Sequence, residues 1–219
     1  MFTGFTDRTI DFMWGIRLNN NREWFLEHKK DYVEDFYEPM QQLAREVWGR
    51  MESEFPDDAY LHLSRIYRDV RRTHGEGPYK DRLWFSVRRR CLDWMETPVF
   101  FFELEPEGYS CGIVTIYSPP EIMRRFRARI DEYPAEFERI AAEFERQEEY
   151  VLYGDEYKRK KGEKGDLLGK WYNRKRIVIY SDYPPDGRMM SGELVDYICR
   201  SFRCLRPVYD YLWRLYDIE

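Results

Sequence analysis

The chain has 219 residues and a formal net charge of −5, with charged residues at 35% and aromatics at 18%. That length suits one large domain with a proper core. The acidic balance weighs against polyanion and anionic-membrane binding, so an anion site has to be a local patch. No apolar run approaches the roughly 18 residues of a membrane span, and Met1-Phe2-Thr3-Gly4 opens neither a basic n-region nor an apolar h-region. A soluble, cytoplasmic protein is expected.

Four cysteines, Cys91, Cys111, Cys199 and Cys204, show no C-x-x-C spacing, and the three histidines, His28, His62 and His74, do not sit beside a cysteine pair. No metal site and no cofactor follow from them, and scattered thiols fit a reducing cytosol.

In chain order, Thr6 or Asp7 can cap a helix carrying Ile10, Phe12, Met13, Ile16 and Leu18. Asn21 can cap the next, with Trp24 and Phe25 packed in the core. Pro39 is expected to interrupt this helix, the pattern resuming through Leu43, Val47 and Met51 until Pro56. From Tyr60 the residues alternate as strands do, through Leu61 and Leu63, then Leu83, Phe85 and Val87, then Phe100, Phe102 and Leu104, then Ile113 to Tyr117. The links are too short for parallel crossovers, so the pairing should be antiparallel. Pro120 and Pro134 each suit a helix start. Gly154–Lys161 reads as a basic, hairpin-like segment, Ile177–Tyr180 as a last strand, and Ser191 onward as helix. Pro207 either kinks that helix or begins a separate one. The expectation is a single α+β domain over residues 1–219. Its N-terminal helices fall in 6–55, its sheet mainly in 60–117 and 174–181, and further helices in 120–148 and 191–216.

The segment Arg65 to Lys80 concentrates the chemistry. Arg65, Arg68, Arg71, Arg72 and Lys80 surround Asp69, Tyr67, Tyr79 and a Gly75-Glu76-Gly77-Pro78 turn. A guanidinium fork donates two parallel hydrogen bonds to a phosphate or carboxylate, so the candidate ligand site is Arg65, Arg68, Asp69, Arg71, Tyr79 and Lys80. In it the cations supply charge, Tyr79 a hydrogen bond, and Asp69 orientation. The competing reading is an Arg–Asp network that ties the strand to acidic helices. The turn is not a P-loop, because the Gly-x-x-x-x-Gly-Lys-Ser/Thr spacing and its helix are missing. No catalytic constellation stands out, and whether the protein is an enzyme is left open.

Asn20-Asn21-Arg22-Glu23-Trp24-Phe25, Arg65 to Arg71 with Pro78-Tyr79-Lys80, Gly112 through Tyr117 to Pro119, and Gly154 to Arg159 with Lys161-Gly162 and Lys170 together resemble a largely bacterial family. It is known as domain of unknown function 2461. Arg68, Asp69, Arg71, Tyr79 and Lys80 match its pattern position by position, whereas Arg72 to Gly77 replaces an interval that usually holds an aromatic and a basic residue. The resemblance implies no activity, cofactor or catalytic residue.

Two functions follow as expectations. One is a cleft for a small anionic, phosphorylated or carboxylated ligand. The other is a non-catalytic protein-interaction module in which rings such as Trp84, Trp94 and Trp171 are exposed. Nucleic acid ranks below both, and the sequence is silent on oligomeric state.

Overall fold

A computed structural model of the chain describes residues 1–69, 77–91 and 93–216. Helix α1 (Asp7–Leu18) follows Thr6, whose N–H donates to the Thr9 hydroxyl at 3.1 Å. Asn21 caps α2 (Arg22–Glu27) by accepting the Trp24 N–H at 3.0 Å, which satisfies a donor that every helix start leaves orphaned. The chain continues through α3 (Lys29–Asp31) and a π-helical segment, Tyr32–Tyr37, into α4 (Glu38–Met51). Pro39 therefore does not interrupt the helix; it lies in the first turn of α4. It has no N–H for the carbonyl four residues back. That carbonyl, of Asp35, accepts the buried Thr9 hydroxyl at 2.6 Å instead.

Strands β1 (Ala59–Leu63), β2 (Leu83–Arg89), β3 (Val99–Glu105), β4 (Gly108–Val114), β5 (Val151–Tyr153) and β6 (Val178–Tyr183) form an antiparallel sheet in the order β1-β2-β3-β4-β6-β5. The fold class is α+β, as the alternating patterns require. The span 60–117 supplies β1 to β4. The later span is displaced, since β6 begins at Val178 and Arg174 makes only an isolated bridge to Glu156. The expected hairpin at 154–161 is that bridge and irregular chain. Strand β5 has no signal of its own. Its three residues are extended because they pair with β6, Val151 opposite Tyr180 and Tyr153 opposite Val178.

Helices α5 (Pro120–Glu132) and α6 (Pro134–Phe144) each start on a proline, where a missing N–H costs nothing. Helix α7 (Gly165–Tyr172) forms where Gly165 and Gly169 dilute the periodic pattern. Helix α8 (Glu193–Trp213) runs through Pro207, so no separate helix begins there. Among the described residues no helix is long and apolar enough to cross a membrane.

By Cα proximity the chain divides into two compact units. The first comprises Met1–Val87, Phe101–Cys111 and Asp182–Arg200, and the second Arg88–Phe100, Gly112–Ser181 and Ser201–Glu219. In the first, Phe12, Phe25, Phe36, Met40, Leu43 and Val47 from the N-terminal helices are buried, with Phe85 stacked on Phe102 at 5.5 Å. In the second, Phe137 and Phe144 meet the Trp171 ring edge-on at 5.2 Å each, and Phe100 stacks on Tyr209 at 4.4 Å. Such pairs add about 0.5–1.5 kcal/mol beyond their area. Trp171 is thus buried, and Trp84 and Trp94 are half-buried. These rings do not make the exposed patch that the interaction reading called for.

One glycine is imposed by strand packing. A Cβ on Gly112 would stand 2.0 Å from the Ile179 carbonyl oxygen, so β4 and β6 reach their spacing there only without a side chain.

Candidate functional site

The candidate site is a corner of the first unit, and its scaffold is main chain. After β1 the backbone returns beside itself. Tyr67 and Tyr79 form an antiparallel bridge, with Arg68 N–H donating to the Pro78 carbonyl at 2.9 Å and Lys80 N–H to the Ile66 carbonyl at 2.7 Å. Asn20 completes the pairing from the end of α1. Its amide Nδ2 donates to the Tyr79 carbonyl at 2.8 Å, and its Oδ1 accepts the Tyr79 N–H at 3.0 Å. One side chain therefore does what a neighbouring strand would do. Gly77 makes room for it, since a Cβ there would lie 2.3 Å from the Asn20 amide carbon.

Beneath this backbone lies an aromatic floor. The buried Tyr79 ring stacks on Phe25 at 4.2 Å, Tyr67 meets Phe25 edge-on at 6.0 Å, and Phe25 leans on Tyr32 at 5.5 Å. Burial pushes the hydroxyls of Tyr79 and Tyr32 up from their ordinary range, so both stay protonated. Tyr79 is only 5% exposed, and its clearest contribution is this stack.

The cations sit on top. Arg68 Nε donates to the Tyr79 carbonyl at 2.8 Å, and the Lys80 ammonium donates to the Arg65 carbonyl at 2.6 Å. The Lys80 nitrogen also lies 5.9 Å from the Trp84 ring centre. Arg68 and Asp69 are half-buried and Arg65 is exposed. Burial is the largest influence that lowers the Lys80 pKa, and the charges of Arg65, Arg68 and Arg82 lower it further, opposed by Glu103. Arg82 in turn pairs with Glu105 at 3.5 Å and Glu103 at 3.7 Å. Burial raises both of those carboxyls, and Arg82 restrains the rise.

Arg65, Arg68, Tyr79 and Lys80 thus share one corner, with Asp69 next to Arg68 in the chain. Arg71, His74 and the turn as far as Glu76 lie outside the described residues. Three contributors were missed in the sequence. Arg82 and Glu103 read as ordinary strand residues. Asn20 read only as part of a turn, although an Asn-Asn-Asn run offers more amides than one helix cap needs.

The basic segment from Lys158 to Lys161 belongs to the second unit. Lys158, Arg159 and Lys160 are exposed; Lys161 rests its ammonium 4.5 Å from the Tyr157 ring and donates its N–H to Asn173 Oδ1 at 2.7 Å.

A family model described as Conserved hypothetical protein (DUF2461) matches residues 8–211. The chain belongs to that family. A search of curated proteins gives no significant match. Two of the sequence blocks that carry the family resemblance meet in the corner: Asn20 and Phe25 from the first hold the backbone and ring of Tyr79 from the second. Gly112, from the third block, is the glycine set against β6.

Proposed function

We propose that the corner formed by Arg65, Arg68, Asp69 and Lys80 binds a small anionic ligand carrying a phosphate or carboxylate. Arg71, expected at the site from the sequence, lies outside the described residues. The observation that carries this reading is the Lys80 ammonium, held by the Arg65 carbonyl, with its pKa lowered first by burial and then by the charges of Arg65, Arg68 and Arg82. An anion placed there relieves the mutual repulsion and accepts bidentate hydrogen bonds. Asp69 orients the guanidinium groups. All four cysteines are free thiols, Cys91 and Cys204 exposed, which supports a reducing, cytoplasmic setting.

The test is a thermal-shift screen of phosphorylated and carboxylated metabolites on the wild-type chain and on Arg65→Ala. A ligand held at about 100 times its Kd adds about 2.7 kcal/mol of stability. At least one compound should raise the melting temperature of the wild type and not that of Arg65→Ala. If no compound does so, or if the rise survives in the variant, the assignment fails.

A further inference from the structure

We infer that the second unit carries a separate site for a nucleoside monophosphate, in a cleft of about 500 Å³ lined by Tyr117, Asp155, Tyr157, Lys175 and Arg176. This volume falls within the range of small-ligand sites, about 300–1,000 Å³. Both walls are pre-formed by main-chain bonds. Tyr117 N–H donates to the Met95 carbonyl at 2.8 Å, Tyr157 N–H to the Asn173 carbonyl at 2.9 Å, and Lys175 N–H to the Asp155 carbonyl at 2.7 Å. Arg176 Nη1 donates to the Ile116 carbonyl at 3.2 Å, which fixes the guanidinium at the rim.

The lining dictates the ligand's chemistry. Tyr117 is 55% exposed and its neighbour Ile116 42%, so a flat apolar face is presented to solvent within the cleft. Among the described residues no other ring or cation covers Tyr117, whereas Tyr157 already faces Arg127 at 5.4 Å and Lys161 at 4.5 Å. A planar ring therefore stacks on Tyr117.

Charge comes from Lys175 and Arg176. The helix start nearby adds little, because Pro119 and Pro120 have no N–H to offer. Donors outnumber acceptors here. Lys175 and Arg176 set two cations against the one carboxylate of Asp155 on the cleft lining, and cationic donors favour a phosphate over a neutral group. Asp155 is the exception on the wall. Its carboxylate repels a bare anion but accepts from a hydroxyl or amine, the groups that a ribose or a base supplies. Ring, phosphate and donor together specify a nucleotide, and none of the three alone suffices.

Calorimetric titration with adenosine and cytidine 5′-monophosphates, against adenosine and inorganic phosphate, tests the inference. At least one monophosphate should bind with a Kd below about 1 mM. Adenosine and phosphate should each bind about tenfold more weakly or worse, as should the monophosphate to Tyr117→Ala or Lys175→Ala, given the worth of one base–ring stack. Both substitutions fall on exposed side chains, so the fold should survive them, and Arg65→Ala in the first unit should leave this binding unchanged. The inference is overturned if neither monophosphate binds, if phosphate alone binds as tightly, or if both cleft variants bind like the wild type.

Discussion

In the first unit Lys80 donates to the Arg65 carbonyl and Arg68 to the Tyr79 carbonyl, above a buried Phe25–Tyr79 stack. In the second unit Lys158, Arg159 and Lys160 are exposed, with Lys160 3.6 Å from Glu163. The sequence makes these two basic segments look alike, and the fold treats them differently. Cations held by main-chain carbonyls cannot swing apart, so their mutual repulsion stays in place and adds to burial, the larger cause, in lowering the Lys80 pKa. Cations on exposed stems disperse theirs into water, where salt screens it. Charge density in the sequence therefore marks a site less well than the presence of backbone acceptors that hold the charge still.

Substitutions can break this comparison at graded cost. The largest effect should come from Gly112→Ala. The added Cβ meets the Ile179 carbonyl at 2.0 Å, and such overpacking against backbone should cost about 3 kcal/mol in a denaturant melt.

Next is Asn20→Ala, which strands the Tyr79 N–H and one bond to its carbonyl. It should cost about 2 kcal/mol by the price of an unmet buried donor, and it should weaken any anion bound at the corner. Stability loss without loss of binding would show that the corner does not depend on this backbone clamp.

Asp131→Asn sharpens the contrast from the second unit. Asp131 accepts from Lys164 at 2.5 Å and from the Tyr172 hydroxyl at 2.9 Å, and its carboxyl lies below the ordinary 3.8, chiefly through the Lys164 bond. Its folded pKa is depressed, so its stabilisation is present above 3.8 and is lost as pH falls through the folded value. The pair is part-exposed, so the variant should cost only about 1 kcal/mol at neutral pH. It should also lose part of the acid dependence of stability below pH 4, read from melts in an acid pH series.

The smallest stability effect belongs to Arg65→Ala, within about 0.5 kcal/mol because the side chain is exposed and only its carbonyl holds Lys80. Arg68→Ala should cost more, since Arg68 Nε bonds the Tyr79 carbonyl. Equal costs for the two would erase the distinction between an arginine that only faces the ligand and one that also holds the framework.

Much of this architecture is readable from pattern. Capped helices such as α2, proline-started α5 and α6, and alternating β2 and β3 are set by local chemistry, and the sequence shows them. What escapes is set by partners distant in the chain. Strand β5 is extended because β6 pairs with it, and in the π-helical segment before Pro39 the Asp35 carbonyl is met by a hydroxyl from Thr9, 26 residues earlier. In the candidate site, the residue types from Arg65 to Lys80 were visible. Their neutral framework was not, because the amide of Asn20 lies 59 residues from the backbone it completes.

The central claim is that Lys80 is held, partly buried, in the field of Arg65, Arg68 and Arg82, and lysine-resolved NMR titration of its side chain tests this most directly. The folded pKa should lie below the ordinary 10.5, so that over the window between the two values the native state binds fewer protons and stability rises with pH. Adding inorganic phosphate should move that pKa upward, since a bound anion favours the charged amine. A Lys80 that titrates at or above 10.5, or one indifferent to phosphate, would contradict the account.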